Sequence, residues 1–381
     1  MHEAWDQTAG IADAEVTLGL PEMKKRRTDE NGNASFSFSS DHSGRKFPIN
    51  AKKDGYLDRK PIQAPMDGDR PCRIALKRET APKTRKTKSV QNSSEPDERP
   101  PLPACPFVAG PKIEDPRLFV GREEELSALA WRMKGAQPTS VNVVGERRIG
   151  KSSLLYQFSK TWKQRVANGR NYAIIYLSLQ DAHFQTSEGF FQSLLNRLCA
   201  AVEDCDPEAT FIPANGKIDG DAFADALGEW KARRILPVVC LDEFEMFLRY
   251  PEEFTDGFYD HLRAQMDRNA LMMIVSSRKP LDVYRQEQKL TSSFFNLGHF
   301  LLLREFSEDE AKELARLPAS TVPGLPPALS DEEQEIALQW GACHPMLLQF
   351  ACLFLCQARQ ESKDTAWAEN QFQEQTHRFR Q

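Results

Sequence analysis

A glycine-rich loop between a short apolar strand and a helix constrains this sequence more than any other feature. Residues 140–155 read SVNVVGERRIGKSSLL, in which Gly145 and, four residues later, Gly150 precede Lys151 and Ser152. This spacing is typical of a phosphate-binding loop, whose glycines let backbone N–H groups point inward at phosphate oxygens. The positive end of the following helix faces the same anion. A plain glycine turn before a helix would not require the Lys-Ser pair.

The loop predicts ligands for a nucleoside triphosphate. Lys151 is expected to reach the β- and γ-phosphates, and the Ser152 hydroxyl is expected to bind Mg²⁺. Arg147 and Arg148 lie inside the loop. They are placed to neutralise phosphate charge or to face a neighbouring subunit, and simple exposure to solvent explains them equally well.

An acidic pair follows the apolar run Ile235–Leu241. After a phosphate loop, Asp242 in this position predicts a Mg²⁺ site, and Glu243 predicts a residue that orients or deprotonates the attacking water. Acidic residues also end many ordinary strands. Asp242 and Glu243 predict a catalytic site only because a phosphate-binding loop precedes them in the chain.

Polar residues also follow the strand predicted at Leu271–Val275. In phosphate-loop proteins that hydrolyse nucleotides, the strand next to the one that ends in the acidic pair carries a polar residue that contacts the γ-phosphate. Ser277 and Arg278 are the candidates, and an ordinary polar strand end is the alternative.

Alternation of strands and helices around these motifs predicts an α/β fold, a doubly wound parallel sheet with helices on both faces. Two capping boxes, Ser followed three residues later by Glu, and an apolar helix after His344-Pro345 predict a C-terminal helical lid. The predicted elements are strands at Val141–Val144, Tyr172–Leu179 and Phe295–Leu303, and helices starting near Arg122, Lys151, Ser187, Ala222, Ser307, Ser330 and Pro345.

The N-terminal region has a different pattern. Apolar residues alternate in Ala14–Leu18 and Ala34–Phe38, which predicts antiparallel strands. Further strands are expected at Phe47–Ala51 and Cys72–Leu76. The stretch 79–104 is basic and nearly without apolar residues, which predicts a disordered linker. It is either a solvated tether or a contact for nucleic acid or an acidic partner.

Composition is that of a soluble globular protein. A net charge of −5 over 381 residues argues against wholesale nucleic-acid binding. No apolar run approaches the ~20 residues that span a bilayer, and the eight scattered cysteines are not a disulfide framework. A cytoplasmic location is therefore expected. Cys352 and Cys356 lie four apart on a predicted helix, where buried packing is favoured over a metal pair.

Four motifs between Pro106 and about Gln357 resemble the STAND class of signal-transduction ATPases, relatives of AAA+ proteins, in their prokaryotic AAA-like branch. They are PFVAGPKIEDPRLFVGREEEL, VVGERRIGKSSLL, VVCLDEFE and GACHPMLLQ. The resemblance implies a P-loop ATPase that uses ATP/ADP and Mg²⁺. The sequence departs from the family at Cys343, where Gly is usual, and little of a winged helix is recognisable after Arg359.

The resemblance also implies roles for individual residues. Adenine is expected beside Val120, Gly121 and Arg122, and the lid residues His344 and Pro345 are expected to touch bound nucleotide. It implies that Gly145, Gly150, Lys151, Ser152 and Ser153 bind phosphates and Mg²⁺, and that Asp242 and Glu243 form the acidic pair. Together with the positions of Arg148 in the loop and Arg278 after its strand, this gives the full expectation. The residues expected to contact phosphates or Mg²⁺ are Gly145, Arg148, Gly150, Lys151, Ser152, Ser153 and Asp242, and the expected catalytic residues are Lys151, Asp242, Glu243 and Arg278.

Three stretches of the N-terminal region, DAEVTL, TDENGNASFSF and INAKKDGY, resemble a carboxypeptidase-regulatory-like, transthyretin-type β-sandwich. This resemblance implies an interaction or spacer role. The predicted organisation is a β-sandwich at 1–78, a linker at 79–104, an ATPase core at 105–305 and a helical lid with a partial winged helix at 306–381.

Three functions remain open on the sequence. The first is a signalling switch in which ATP controls assembly of a homo-oligomer or engagement of an effector protein. The second is an origin-recognition-like AAA+ ATPase that binds DNA, although the missing winged helix and the acidic net charge disfavour nucleic acid as a partner. The third is a scaffold that binds nucleotide without hydrolysing it, which the intact Glu243 argues against.

Overall fold

The computed structural model describes residues 102–135, 137–166, 172–181, 184–211 and 218–377, and of the region before them only the β-strands. The chain divides into two compact units, Met1–Glu98 and Arg99–Gln381. The strands predicted at Ala34–Phe38 and Cys72–Leu76, and most of the predicted linker, lie outside the described residues.

Strands of the first unit pair only in antiparallel fashion where they are described. One sheet has the order β2-β1-β3-β5 and a second pairs β4 with β6. The strands β1 and β3 coincide with two predicted ones, and the β-sandwich stays a prediction. The bounds are β1 Glu15–Leu18, β2 Lys24–Arg27, β3 Lys46–Lys52, β4 Tyr56–Leu57, β5 Ile62–Pro65 and β6 Lys77–Arg78.

The second unit is built on a parallel five-stranded sheet, as predicted. Its strands are β7 Val141–Val144, β8 Tyr172–Ser178, β9 Leu236–Asp242, β10 Met272–Ser277 and β11 Phe300–Leu302. They lie in the order β11-β7-β10-β9-β8, and all four pairings are parallel. The loop strand β7 and the acidic strand β9 therefore flank β10, and all three end at the same edge.

Helices cover both faces of this sheet. Side chains along β10 alternate, so that Met273 and Val275 face a cluster containing Tyr259, whereas Met272 faces one containing Leu154. This alternation confirms the doubly wound arrangement. The helices of the core are α1 Glu123–Lys134, α2 Lys151–Thr161, α3 Ser187–Glu203, α4 Gly220–Ala232, α5 Asp256–Asp267 and α6 Leu281–Gln288.

The lid consists of helices α7 Glu308–Ala315, α8 Asp331–Gly341, α9 Pro345–Gln360 and α10 Thr365–Thr376. Both predicted capping boxes, at Ser307 and Ser330, are formed. The lid has its own apolar cluster around α9, and Phe107 and Val120 from the segment before α1 pack into it. Within residues 306–377 the structure describes helices and no strand.

The predicted last strand, Phe295–Leu303, is wrong in its first half. Ser293–Phe295 is a 3-10 helix, and only Phe300–Leu302 is a strand. Phe294 stacks on Phe244 with ring centroids 6.0 Å apart, so burial among aromatic rings overrides the local strand preference. Gly298, with φ +75°, then redirects the chain into β11. None of the described helices is long and apolar enough to cross a membrane.

Candidate nucleotide-binding site

The loop between β7 and α2 has the backbone that a phosphate cradle requires. Gly150 is the N-cap of α2 with φ +100°, a conformation that favours glycine. A Cβ on Gly145 would lie 2.9 Å from both the Leu303 carbonyl oxygen and a methyl group of Ile149. The Gly145 N–H donates to the Ser277 carbonyl at 3.2 Å, which fixes the start of the loop to β10.

The Lys151 ammonium lies on the loop and donates to the carbonyl oxygens of Gly145 and Glu146, both at 2.7 Å. Burial lowers the pKa of Lys151, and the negative charges of Glu245 and Asp242 oppose this shift. The Lys151 ammonium is therefore close enough to the carboxylates at and after the end of β9 to be influenced by their charge. A phosphate in the loop would compete with the two carbonyls for its protons.

Asp242 is held from both neighbouring strands. Its Oδ2 accepts a hydrogen bond from the Tyr176 hydroxyl on β8 at 2.8 Å, and its Oδ1 accepts one from the Ser276 hydroxyl on β10. The side chain is 2% exposed. Burial raises the pKa of Tyr176, and the Asp242 charge raises it further, so the phenol stays protonated as a donor. The carboxylate is fixed before any ligand arrives.

Glu243 has a left-handed backbone, φ 62° and ψ 54°, which is uncommon for a residue other than glycine. Its N–H donates to the Ser276 hydroxyl at 3.0 Å. Burial raises the pKa of Glu243, a hydrogen bond with the Gln180 side chain opposes this, and the charge of Asp242 adds to the rise. A raised pKa makes the carboxylate a stronger base, and backbone strain of this kind clusters at functional sites.

Ser276 and Ser277, at the end of β10, have different hydrogen-bond partners. Ser276 contacts both acidic residues, whereas the Ser277 hydroxyl accepts from Asn142 Nδ2 and donates to the Lys279 carbonyl, each at 2.7 Å. Ser277 is thus part of the strand end. Ser276 and Asn142 were missed from the sequence. The available signal was a polar residue inside an apolar strand beside the predicted site.

Arg278 lies just beyond β10, with an exposed side chain. Its backbone N–H donates to Glu245 Oε1 at 2.5 Å, and its charge acts on Lys151 and on Glu243. The Glu245 carboxylate also accepts from the Tyr284 hydroxyl at 2.7 Å. Arg278 is therefore near the acidic pair, and its contact with the γ-phosphate stays a prediction.

The residues expected beside the adenine lie where the core meets the lid. Val120 is buried against the lid cluster. Gly121 has φ +67°, and a Cβ there would lie 2.5 Å from Glu310 Oε1 of α7. The same oxygen accepts the Arg122 N–H at 2.6 Å. This close approach explains the glycine, while contact with adenine stays a prediction.

The Arg122 guanidinium points into the protein. It donates to Glu125 at 3.0 Å, to the Ile149 carbonyl of the loop at 3.3 Å and to the Arg304 carbonyl at 2.7 Å. It also lies 4.6 Å from the Phe306 ring centroid. Because it is 4% exposed and bonded in three directions, Arg122 joins α1, the phosphate loop and the connection to the lid.

A segment that we call the strap, residues 105–119, runs between lid and core. The Val108 N–H donates to Gln349 Oε1 of α9 at 2.8 Å. Five residues later the Ile113 N–H donates to the Ser153 hydroxyl of α2 at 3.0 Å. The Ser153 hydroxyl therefore binds the strap, and its predicted phosphate contact would have to share that oxygen or use its backbone N–H.

The N-terminus of α9 contacts the phosphate loop. His344 is the N-cap, and its Nδ1 accepts the Leu347 N–H at 3.4 Å, while Pro345 occupies the first turn. Arg148 of the loop donates to Met346 Sδ at 3.2 Å. Burial lowers the pKa of His344, which favours the neutral ring. The predicted lid motif and the loop are thus brought together.

The donor set suits Mg²⁺. The Ser152 hydroxyl at the first turn of α2 and the Asp242 carboxylate are oxygen ligands, and Mg²⁺ commonly takes one or two protein oxygens together with substrate phosphates and water. Among the residues that the structure describes, no three His, Cys, Asp or Glu side chains are grouped to hold a metal alone.

No protein-family model and no curated protein matches this sequence. Among solved structures, the ORC2 protein of Aeropyrum pernix in its ADPNP-ADP complexes aligns with a TM-score of 0.50 at 16% identity, over 68% of this chain and 72% of that chain. The second unit has the fold of a P-loop ATPase. This agrees with the fold predicted from the loop and the acidic pair.

Two further structures are similar at a lower score. The Walker-type ATPase of Pyrococcus abyssi aligns with a TM-score of 0.47 and 17% identity, over 71% of this chain and 75% of that chain. The Aeropyrum pernix ORC1 protein in complex with DNA aligns with a TM-score of 0.46 and 14% identity, over 68% of this chain and 66% of that chain. The alignment thus spans slightly less than two thirds of the ORC1 chain.

Proposed function

We propose that this protein binds ATP with Mg²⁺ between core and lid, hydrolyses it slowly, and uses the nucleotide state to control its assembly or its engagement of a partner protein. The observation that carries the proposal is the placement of Glu243. Its carboxylate follows the rigidly held Asp242 and has a raised pKa, at the sheet edge where the Lys151 ammonium lies.

Each residue of the site has a step in hydrolysis. The N–H groups of the loop and the Lys151 ammonium bind the phosphates. Ser152 and Asp242 would hold Mg²⁺, which would supply positive charge to neutralise the phosphate oxygens. Glu243 accepts a proton from the attacking water. Arg278 is assigned to the γ-phosphate because its charge acts on both Lys151 and Glu243.

The switch part of the proposal rests on contacts between loop and lid. Arg148 of the loop bonds Met346 of α9, and the buried Arg122 joins the Ile149 carbonyl of the loop to the Arg304 carbonyl that leads to α7. A rearrangement of the loop on nucleotide binding must change or strain both contacts. The position of the lid therefore depends on whether nucleotide is bound in the loop.

ATP turnover by Glu243→Gln tests the hydrolysis. We expect turnover to fall by about 10²–10⁴-fold, the usual contribution of a positioned general base, with ATP affinity retained. Lys151→Ala is the matched control, because it should weaken nucleotide binding itself. Turnover by Glu243→Gln equal to that of the wild type would overturn the assignment of Glu243 as the general base. No turnover by the wild type or by Glu243→Gln would favour a scaffold that binds nucleotide without hydrolysing it.

Mass in solution tests the switch. Glu243→Gln with ATP should shift to a larger assembly, or bind a partner, whereas Lys151→Ala should not respond. If ATP changes neither the mass nor the partner binding of the Glu243→Gln protein, the proposed control of assembly is wrong, even if the wild type hydrolyses ATP.

DNA binding is the second candidate, because the fold of the second unit is similar to that of an ORC2 protein at a TM-score of 0.50. The net charge of −5 weighs against it. Fluorescence anisotropy of a labelled duplex, with full-length protein and ATP over a range of salt, decides between the two. Tight binding with a steep salt dependence would favour DNA as the partner.

A further inference from the structure

Three thiols meet where the strap joins the lid. Cys105 comes from the strap, and Cys352 and Cys356 lie one turn apart on α9 within the same apolar cluster. Cys105 directly follows Ala104, whose carbonyl oxygen accepts from Cys356 Sγ at 3.8 Å. The backbone immediately before the strap therefore passes directly over Cys356. The cysteines in the described residues are free thiols.

The Cys105 and Cys356 thiols differ in exposure and in pKa. Cys356 is 3% exposed, whereas Cys105 is half-buried and open to a small reagent. The hydrogen bond that Cys356 supplies lowers the pKa of Cys105 to about 7, against the opposing effect of burial. The same bond raises the pKa of Cys356, and burial raises that of Cys352. One accessible thiolate beside a protonated thiol is the arrangement of an attacking and a resolving cysteine.

We propose that Cys105 and Cys356 form a peroxide-sensitive dithiol pair, whose disulfide ties the strap to the lid helix α9. The Cys105 thiolate attacks one oxygen of hydrogen peroxide, the O–O bond breaks, and sulfenic acid and hydroxide form. The Cys356 sulfur then attacks the Cys105 sulfur. An S–S bond forms, the S–O bond breaks, and the oxygen leaves as water with the Cys356 proton. In sum, two thiols lose two electrons and two protons, and peroxide becomes two waters.

A metal does not explain this cluster. Within the part of the chain that the structure describes, no three His, Cys, Asp or Glu side chains are placed to hold a metal ion. Cys352 is completely buried, and it fits the apolar packing expected from its spacing. The pair that remains is Cys105 with Cys356.

The disulfide would act on the nucleotide site through the strap. Ile113 is eight residues after Cys105, and it is bonded through its N–H to Ser153 and through its carbonyl to Gln157 Nε2 at 2.9 Å, both on α2. Val108, between Cys105 and Ile113, already donates its N–H to Gln349 of α9. A Cys105–Cys356 disulfide would add a covalent attachment of the strap to α9 beside that hydrogen bond. Resting on the function proposed above, we expect oxidation to slow nucleotide release.

Peptide mapping of the full-length protein tests the pair without any nucleotide. After treatment with hydrogen peroxide and alkylation of free thiols, non-reducing digests should contain a Cys105–Cys356 cross-linked peptide that dithiothreitol removes. Cys105→Ser and Cys356→Ser should abolish it, and Cys352→Ser, one turn away on α9, should retain it. Overoxidation of Cys105 in the wild type without any cross-link to Cys356 would overturn the proposal.

Alkylation of the wild type gives a test that needs no variant to fold. The rate at which iodoacetamide modifies Cys105 should rise through a midpoint near pH 7, about tenfold faster at neutral pH than the other described cysteines. Equal rates for Cys105 and the remaining thiols would contradict its role as the attacking cysteine.

Release of a fluorescent ADP from oxidised and reduced protein tests the consequence. Oxidation should slow release several-fold, dithiothreitol should reverse this, and Cys105→Ser should release at the reduced rate in either condition. A mapped disulfide with unchanged release would overturn the control of nucleotide exchange. Failure to bind the ADP at all would contradict the proposed function and would leave the mapped dithiol pair standing.

Discussion

The acidic strand end and the junction of loop, strap and lid are two sides of one site, and they are held in different ways. Asp242 is fixed by hydroxyls from both neighbouring strands, and one of these, Ser276, also binds the Glu243 N–H. On the other side the loop meets the lid through long side chains, notably Arg122 and Arg148.

This difference separates chemistry from signalling. Hydroxyl contacts between adjacent strands leave the carboxylates little freedom, which suits groups that must be in position before reaction. Long side chains between separately packed bodies have alternative partners, which suits a junction that changes with its ligand. We therefore expect substitutions near Asp242 and Glu243 to alter the rate of ATP turnover. Substitutions at the junction should alter ATP affinity and the response of the lid to nucleotide.

Among the substitutions that compare the two sides of the site, Ser276→Ala should have the largest effect. It removes a hydrogen bond to a charged group, worth about 1.5–3 kcal/mol, and leaves the Glu243 N–H without its acceptor. If the loss falls on the transition state, ATP turnover drops about 10–100-fold at saturating ATP.

Ser277→Ala is the control for Ser276→Ala, because its hydroxyl bonds Asn142 and Lys279 rather than the acidic pair. It should lower thermal stability with turnover close to that of the wild type. Equal losses of turnover in the two variants would mean that Ser276 acts through general stability and not by positioning the carboxylates.

Arg122→Lys should come next. One ammonium cannot reach Glu125, the Ile149 carbonyl and the Arg304 carbonyl together, so the tie between loop and lid is weakened while the charge is kept. We expect ATP affinity to fall about tenfold, or ~1.4 kcal/mol, measured by titration calorimetry.

Arg147→Lys, at an exposed position of the same loop, is the matched control and should bind ATP as the wild type does. An Arg122→Lys protein with normal affinity and normal nucleotide response in its lid would break the proposed route from loop to lid.

The smallest expected effect is at Ala342, between α8 and the lid motif. Its φ of 47° and ψ of −135° favour glycine, and its side chain is exposed. Ala342→Gly should therefore raise the melting temperature by a few degrees, corresponding to about 1 kcal/mol after the entropy of the unfolded chain is counted.

Ala337→Gly, in the interior of α8, is the opposite control and should lower the melting temperature. A fall with both substitutions would show that the turn before His344 is not strained.

Local patterns predicted the parts of the site that are local in sequence. The strand β7, the glycines of the loop and the start of α2 follow one another along the chain, as do the capping boxes at Ser307 and Ser330. Hydrophobic alternation with helices predicted the parallel sheet. These features depend on neighbouring residues, so the sequence carries them directly.

Contacts across the fold were not predictable in the same way. Ser276 matters because the register of β10 sets it beside Asp242, and the predicted strand, Leu271–Val275, stopped two residues too early. The strand predicted from Phe295 was half wrong because aromatic burial decides that segment. The inward course of the Arg122 guanidinium depends on the Ile149 and Arg304 carbonyls, which lie in two distant segments, so no linear motif could show it.

Amide hydrogen exchange at the start of α9 tests the central claim, that the lid senses nucleotide in the loop, most directly. Exchange in residues 342–350 of Glu243→Gln is compared with and without saturating ATP and Mg²⁺. Because ATP should stabilise the closed junction, we expect exchange to slow by roughly tenfold or more, with no change in Lys151→Ala. Unchanged exchange in Glu243→Gln at saturating ATP would contradict coupling between the loop and the lid.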